Sequence, residues 1–263
     1  MEAELPGARV GMRVLVSRSG ASDAGLSAEV ARCDSSLATL LPLTEMTGVG
    51  PGDVVTTIGE NYTVHCGSGL LGRVIDPFGA VLDGGVGLDN CEPWAVERAA
   101  PNPLSRRPIR RQFTTGFRVL DGCIGLGFGQ RIGLFAGPGL GKTMLVGSLA
   151  RRAQCDVSVV CLVGERGREV GEFMESALGA DGLSRSLLVL AKADDPPVVR
   201  ARALGTATAV AEWFRAQGKD VLLLVDSLTR GIRARRDVAL ALGERPARRG
   251  FPPSSFTAMP GML

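Results

Sequence analysis

The 263-residue chain has one histidine, one tyrosine and two tryptophans, and aromatic residues make up 5% of it. With so few aromatics, a base-stacking nucleic-acid surface is not expected. Charge of either sign is also not in excess: 30 basic against 27 acidic side chains give a formal net charge of +3. This balance argues against a dedicated nucleic-acid binder, which concentrates positive charge on one face. No CxxC pair occurs among the six cysteines, Cys33, Cys66, Cys91, Cys123, Cys155 and Cys161. With His65 alone to share a metal, a structural zinc site is excluded. Separated cysteines without a secretory leader read as reduced thiols, and the start at Met1-Glu2-Ala3-Glu4 has no basic segment followed by an apolar one. Long hydrophobic runs are missing as well. Runs such as Val221 to Val225 fall far short of the roughly 18 residues of a membrane span.

What is present is an ordinary globular composition, 45% hydrophobic and 22% charged. At roughly 100–200 residues per domain, the length suits one large domain or two ordinary ones. Residues 1–92 read as short strands around Val10, Val14 and Val16, around 37–43 and around 54–58. Turn signals separate them at Ser19-Gly20, Asp34-Ser35-Ser36, Gly48 to Gly52, Gly67-Ser68-Gly69 and Asp83-Gly84-Gly85. This pattern predicts a small antiparallel β-barrel domain. Residues 93–115, rich in proline and arginine, form a connector. From 116 to 263, compact apolar runs at 131–136, 157–163, 187–191 and 221–225 alternate with helical windows at 142–154, 169–178 and 198–216. Strand and helix in alternation predict an α/β domain with a parallel sheet covered on both faces.

One loop carries the strongest chemistry. Gly137-Pro138-Gly139-Leu140-Gly141-Lys142-Thr143-Met144, preceded by Ala136, lies between a strand run and a helical window. This is the phosphate-binding loop pattern with alanine at the usual first glycine. Glycines let successive N–H groups turn inward onto phosphate oxygens, and the helix N-terminus adds positive potential. Lys142 places a point charge on the β- and γ-phosphates, and Thr143 offers a hydroxyl to Mg²⁺. Pro138 lacks an N–H, which removes one possible donor. Asp226, at the end of a buried run, is the second candidate metal partner. A third run ends in Gly164-Glu165-Arg166-Gly167-Arg168-Glu169. Glu165 can act as base or hold the attacking water in line with the γ-phosphate. Arg166 and Arg168 can stabilise phosphate charge or hold the neighbouring carboxylates.

Together these segments resemble one family, the type III secretion and flagellar protein-export ATPases, which are related to the catalytic subunit of rotary F/V-type ATPases. The resemblance rests on Gly164 to Val170, on Leu71-Gly72-Arg73-Val74-Ile75-Asp76-Pro77-Phe78-Gly79, on Pro101-Asn102-Pro103-Leu104, on Leu222 to Arg230, and on Gly243-Glu244-Arg245-Pro246 with Gly250-Phe251-Pro252-Pro253-Ser254. It implies a RecA-like P-loop core binding ATP and Mg²⁺. Residue by residue it implies Lys142, Glu165, Arg166 and Arg230 as catalytic, Thr143 and Asp226 at the metal, and Glu169 near the metal's water shell.

The resemblance further implies an ATP-hydrolysing motor that releases and unfolds export substrates. The expected setting is a cytoplasmic homohexameric ring, peripheral at the inner membrane. Its expected partners are a stator-like regulator, central stalk proteins and chaperone–substrate complexes, and no nucleic acid. Members of this family are longer at both ends, so residues that complete the core, including an arginine finger, are expected outside this chain. Such a finger is worth roughly 10³–10⁵ in rate, so nucleotide binding with little turnover is the expectation for these 263 residues. A truncated non-catalytic nucleotide-binding or assembly subunit and a rotary proton-transporting ATPase subunit are the alternative readings.

Overall fold

The computed structural model describes residues 1–18, 25–59, 62–85, 88–102, 104, 106, 108–137 and 139–262. The Ser19-Gly20 turn, connector residues Pro103, Ser105 and Arg107, and Pro138 of the loop lie outside these.

The chain opens with an antiparallel half-barrel. Strands β1 (Glu2–Glu4), β2 (Arg13–Ser17), β3 (Leu26–Asp34), β4 (Leu37–Pro42) and β5 (Val54–Gly59) pair in the order β1-β4-β3-β2-β5. Alternation gives this sheet one apolar face: Val14, Val16, Ala28, Val30, Ala38 and Leu40 are buried together. β6 (Thr63–Gly67) and β8 (Cys91–Ala95) form a separate antiparallel pair. Between them β7 (Val74–Ile75) runs parallel to a strand of the second sheet. Val64, Cys66, Leu70 and Ile75 accordingly pack into the core of the α/β domain. His65 is exposed on β6, and all six cysteines are free thiols.

The second sheet is parallel, in the order β13-β11-β12-β7. Its strands are β11 (Val157–Glu165), β12 (Ser186–Lys192) and β13 (Val221–Asp226). The apolar runs of β11 and β12 are continuous because both faces are covered. On one face Val159, Cys161, Val163, Leu187 and Val189 meet Ala203, Ala207, Val210 and Phe214 of α4 (Pro197–Ala216). Small alanines let this helix approach the sheet closely, and Pro197 opens it where an N–H has no partner. On the other face Val160, Leu162 and Leu188 meet Val146, Leu149 and Ala150 of α1 (Lys142–Arg152).

After β11 the chain forms α2 (Gly167–Glu172), a π-helical turn (Phe173–Leu178) and α3 (Gly179–Ser184). The single helix expected over 169–178 is therefore broken into pieces. α5 (Leu228–Ala241) follows β13, and α6 (Pro253–Met262) closes the described chain.

The expected strand at 131–136 is not formed. These residues have no strand pairing, and Ile132, Leu134 and Phe135 are 52%, 37% and 98% exposed. An apolar run becomes a strand only where a neighbour supplies its ladder. The short antiparallel pair β9 (Gln112–Phe113) with β10 (Leu126–Gly127) ends before this run. Among the described residues β13 pairs only with β11. No described strand pairs with its other edge, and Val221 to Leu223 are half-buried.

The half-barrel and the α/β core share a buried ionic joint. Arg202 of α4 donates to Glu29 of β3, with Nε–Oε2 at 3.0 Å, and to Glu97 at 2.8 Å. Its guanidinium also lies 4.8 Å from the centre of the Tyr62 ring. Burial pushes the Tyr62 hydroxyl well above the usual tyrosine range. That hydroxyl and the Thr206 hydroxyl both converge on the Pro77 carbonyl.

Candidate nucleotide site

The loop after residue 136 ends on two glycines with left-handed backbone, Gly139 (φ 77°) and Gly141 (φ 78°). An L side chain resists that conformation. Gly141 caps α1, so Lys142 and Thr143 occupy its first turn, where free N–H groups and the helix dipole favour an anion. Gly137, Gly139, Leu140 and Gly141 are exposed.

β13 delivers Asp226, 1% exposed, to the same place. Lys142 Nζ donates to Asp226 Oδ1, and Thr143 Oγ1 donates to Asp226 Oδ2 at 3.1 Å. The Asp226–Ser227 peptide bond is cis. Ser227 then caps α5, its Oγ accepting the Arg230 N–H at 3.4 Å. One turn into α5, Arg230 donates to Glu165 Oε1 and to the Val163 carbonyl at 3.3 Å.

Glu165, 7% exposed, ends β11. Burial, reinforced by a hydrogen bond shared with Glu169, outweighs Arg230 and raises its pKa to about 7. The same hydrogen bond lowers Glu169. Glu169 also accepts the Arg166 N–H at 3.5 Å, closing the first turn of α2. A hollow of about 340 Å³ opens here, lined by Thr143, Met144, Glu165, Glu169, Glu172 and Phe173 among others. A second hollow, of about 370 Å³, lies between Arg248, Arg249, Phe251, Phe256 and Met259. None of the loop residues lines it.

The structure thus brings together Lys142, Thr143, Met144, Glu165, Glu169, Asp226 and Arg230. Arg166 stays exposed. The sequence reading missed Glu172, which lines this hollow, three residues after Glu169 and so on the same side of a helix. The alcohol of Thr143 and the carboxylate of Asp226 are hard oxygen donors, the set that suits Mg²⁺ while leaving room for its waters. Among the described residues no group of three or more His, Cys, Asp or Glu could hold a metal by protein ligands alone. No helix among them is long and apolar enough to cross a membrane.

Comparison with known proteins identifies the family. Residues 116–263 match the ATP synthase alpha/beta family, nucleotide-binding domain. The flagellum-specific ATP synthase of Bacillus subtilis is 42% identical over all 263 residues, which span 60% of that protein. The type 3 secretion system ATPase of Xanthomonas euvesicatoria is 48% identical over 90% of this chain and 53% of its own length. Among solved structures, the assembled ATPase EscN of the enteropathogenic E. coli type III secretion system superposes with a TM-score of 0.90 at 40% identity, covering 100% of this chain and 62% of that one. EscN in complex with its central stalk EscO superposes with a TM-score of 0.92. The chain therefore spans about three fifths, or less, of the length of these relatives. It belongs to the ATP synthase alpha/beta family, as a homologue of its type III secretion and flagellar export ATPases.

Proposed function

We propose that this chain supplies the nucleotide-binding core of an ATP-hydrolysing motor of a type III protein export apparatus, flagellar or virulence-associated. The observation that carries the reading is the meeting of Lys142 and Thr143 from the loop helix with Asp226 from β13, beside the buried Glu165.

In this reading the amides of Gly137 to Thr143, with Met144 next along, cradle the phosphates. Pro138 has no N–H to donate. Lys142 leaves Asp226 and moves onto the β- and γ-phosphates. Thr143 and Asp226 would hold Mg²⁺, with Glu169 lining the same hollow as Thr143. Bound there, Mg²⁺ would supply positive charge against the phosphates. Glu165 accepts a hydrogen bond from the attacking water and aims it in line with the γ-phosphorus. Positioning and charge stabilisation make up most of phosphoryl-transfer catalysis. Arg230 holds Glu165 in place and adds positive charge near the γ-phosphate, and Arg166, exposed at the start of α2, is a further source of positive charge.

Relatives described as an assembled ATPase and as a complex with a central stalk support a ring-forming subunit with a stalk partner here. We place the division of the chain at a barrel over 1–92, a connector over 93–115 and a RecA-like domain over 116–263. Calorimetry with Mg·ATP tests the reading: saturable binding is expected, weakened roughly 10–100-fold in Lys142→Ala. Absence of binding in the unaltered chain would sink it.

A further inference from the structure

We infer that Gly164 is a positioning residue, carrying Glu165 from one face of the parallel sheet to the other. The inference rests on the reading of Glu165 as the carboxylate that aims the water. Side chains of a strand alternate between faces. Along β11, Val159, Cys161 and Val163 pack with α4, whereas Val160 and Leu162 pack with α1 and the π-helical turn. An unbroken strand would send Glu165 after Val163, into the apolar face under α4. Instead Glu165 lines the hollow with Thr143, Phe173 and Ala177, and Phe173 and Ala177 belong to the α1 face.

The reversal has a local cause. Val163 pairs with Ala191 of β12, but Lys192, the next residue, pairs with Glu165. Gly164 is the extra residue of a bulge, and one extra residue flips every later side chain to the opposite face. Its φ is +69°, a conformation that side chains with a Cβ resist. Space imposes the same requirement. A Cβ at 164 would stand 3.2 Å from Arg230 Cδ, and this arginine is the one that grips Glu165 and the Val163 carbonyl. One glycine therefore turns the carboxylate toward the phosphates and clears the path of the arginine that holds it.

The test is a double-mutant cycle in the 263-residue chain. Unfolding in denaturant is measured for Glu165→Gln, Arg230→Met and the pair, first with Gly164 and then with Gly164→Ala. With glycine the two residues should couple by about threefold or more in the unfolding equilibrium constant. With alanine the coupling should fall to near one. Gly164→Asn tolerates the positive φ but keeps the Cβ, so it should retain part of the coupling, and it carries the cycle if the alanine variant does not fold. Alongside, Mg·ATP affinity of Gly164→Ala should stay within about threefold while any hydrolysis falls at least tenfold. Undiminished coupling in both variants, no coupling with glycine, or hydrolysis that persists after coupling is lost would overturn the inference. If the unaltered chain ignores Mg·ATP, the ATPase reading falls, and the cycle still decides whether Gly164 sets the Glu165–Arg230 contact.

Discussion

Lys142 and Asp226, 84 residues apart in the chain, form an ion pair at the mouth of the phosphate loop. The pair has two consequences for binding. Asp226 is 1% exposed and, among the described residues, keeps the Thr143 hydroxyl when the lysine leaves. Lys142→Ala should therefore lower both stability and affinity. The stability loss should be about 1–3 kcal/mol, the desolvation of a buried acceptor left short of a partner. Mg·ATP affinity should fall roughly 10–100-fold, the worth of a hydrogen bond to a charged group. Denaturant unfolding and calorimetry on the same variant separate the two effects.

Glu165 sets a pH dependence whose sign follows from its raised pKa. Its ordinary value is 4.5 and its value in the fold is about 7. The folded chain thus holds a proton that the unfolded chain has released across this interval. The associated stability is fully present below pH 4.5 and is lost as the pH rises through about 7. Glu165→Gln should flatten the stability profile in that window. Asp83 acts in the opposite sense. Arg73 beside it holds its carboxyl well below the usual range, so its contribution is present above that range and disappears in acid. Unfolding midpoints between pH 3 and 8 would show the two slopes separately.

Hydrolysis should depend on Glu165 more steeply than binding does. In whatever assembly sustains turnover, Glu165→Gln should lower the rate by about 10²–10⁴-fold while calorimetric affinity for Mg·ATP changes little. A similar loss in both would mean that the side chain anchors nucleotide rather than water.

Gly147 fixes how closely α1 lies on the π-helical turn. A Cβ there would stand 2.4 Å from Ala177 Cβ and 3.0 Å from its carbonyl carbon. Gly147→Ala should cost about 1–3 kcal/mol through overpacking. Because α1 carries Lys142 and Thr143 at its start, Mg·ATP affinity should weaken as well. Thermal unfolding followed by calorimetry would check both.

The joint between half-barrel and core is open to a similar test. Glu29 is 5% exposed and meets Arg202. Replacing one member leaves the other charge buried and unpaired, so Arg202→Met should destabilise by about 3 kcal/mol. Replacing both with apolar residues of similar size should recover much of that loss. A four-member unfolding series measures it.

Much of this protein was legible from residue order alone. Gly139-Leu140-Gly141-Lys142-Thr143 has the pattern of a phosphate cradle, and its left-handed turns and helix start were legible because they are local. β11 and β12 were legible because strands buried on both faces must be continuously apolar, and β13 because its apolar run has strand length. Asp226 could be named because it ends such a run. Other features depended on partners distant in sequence. Residues 131–136 have the composition of a strand, yet a strand exists only where another edge supplies hydrogen bonds, and composition does not report that edge. The helix expected over 169–178 is interrupted by its packing on α1 around Gly147 and Ala177. The face on which Glu165 emerges was decided by a one-residue bulge against β12, and the raised pKa of that carboxyl by burial beside Glu169 and Arg230. Local chemistry specified which groups could handle a triphosphate. Long-range pairing and burial specified which way they point and which proton they keep.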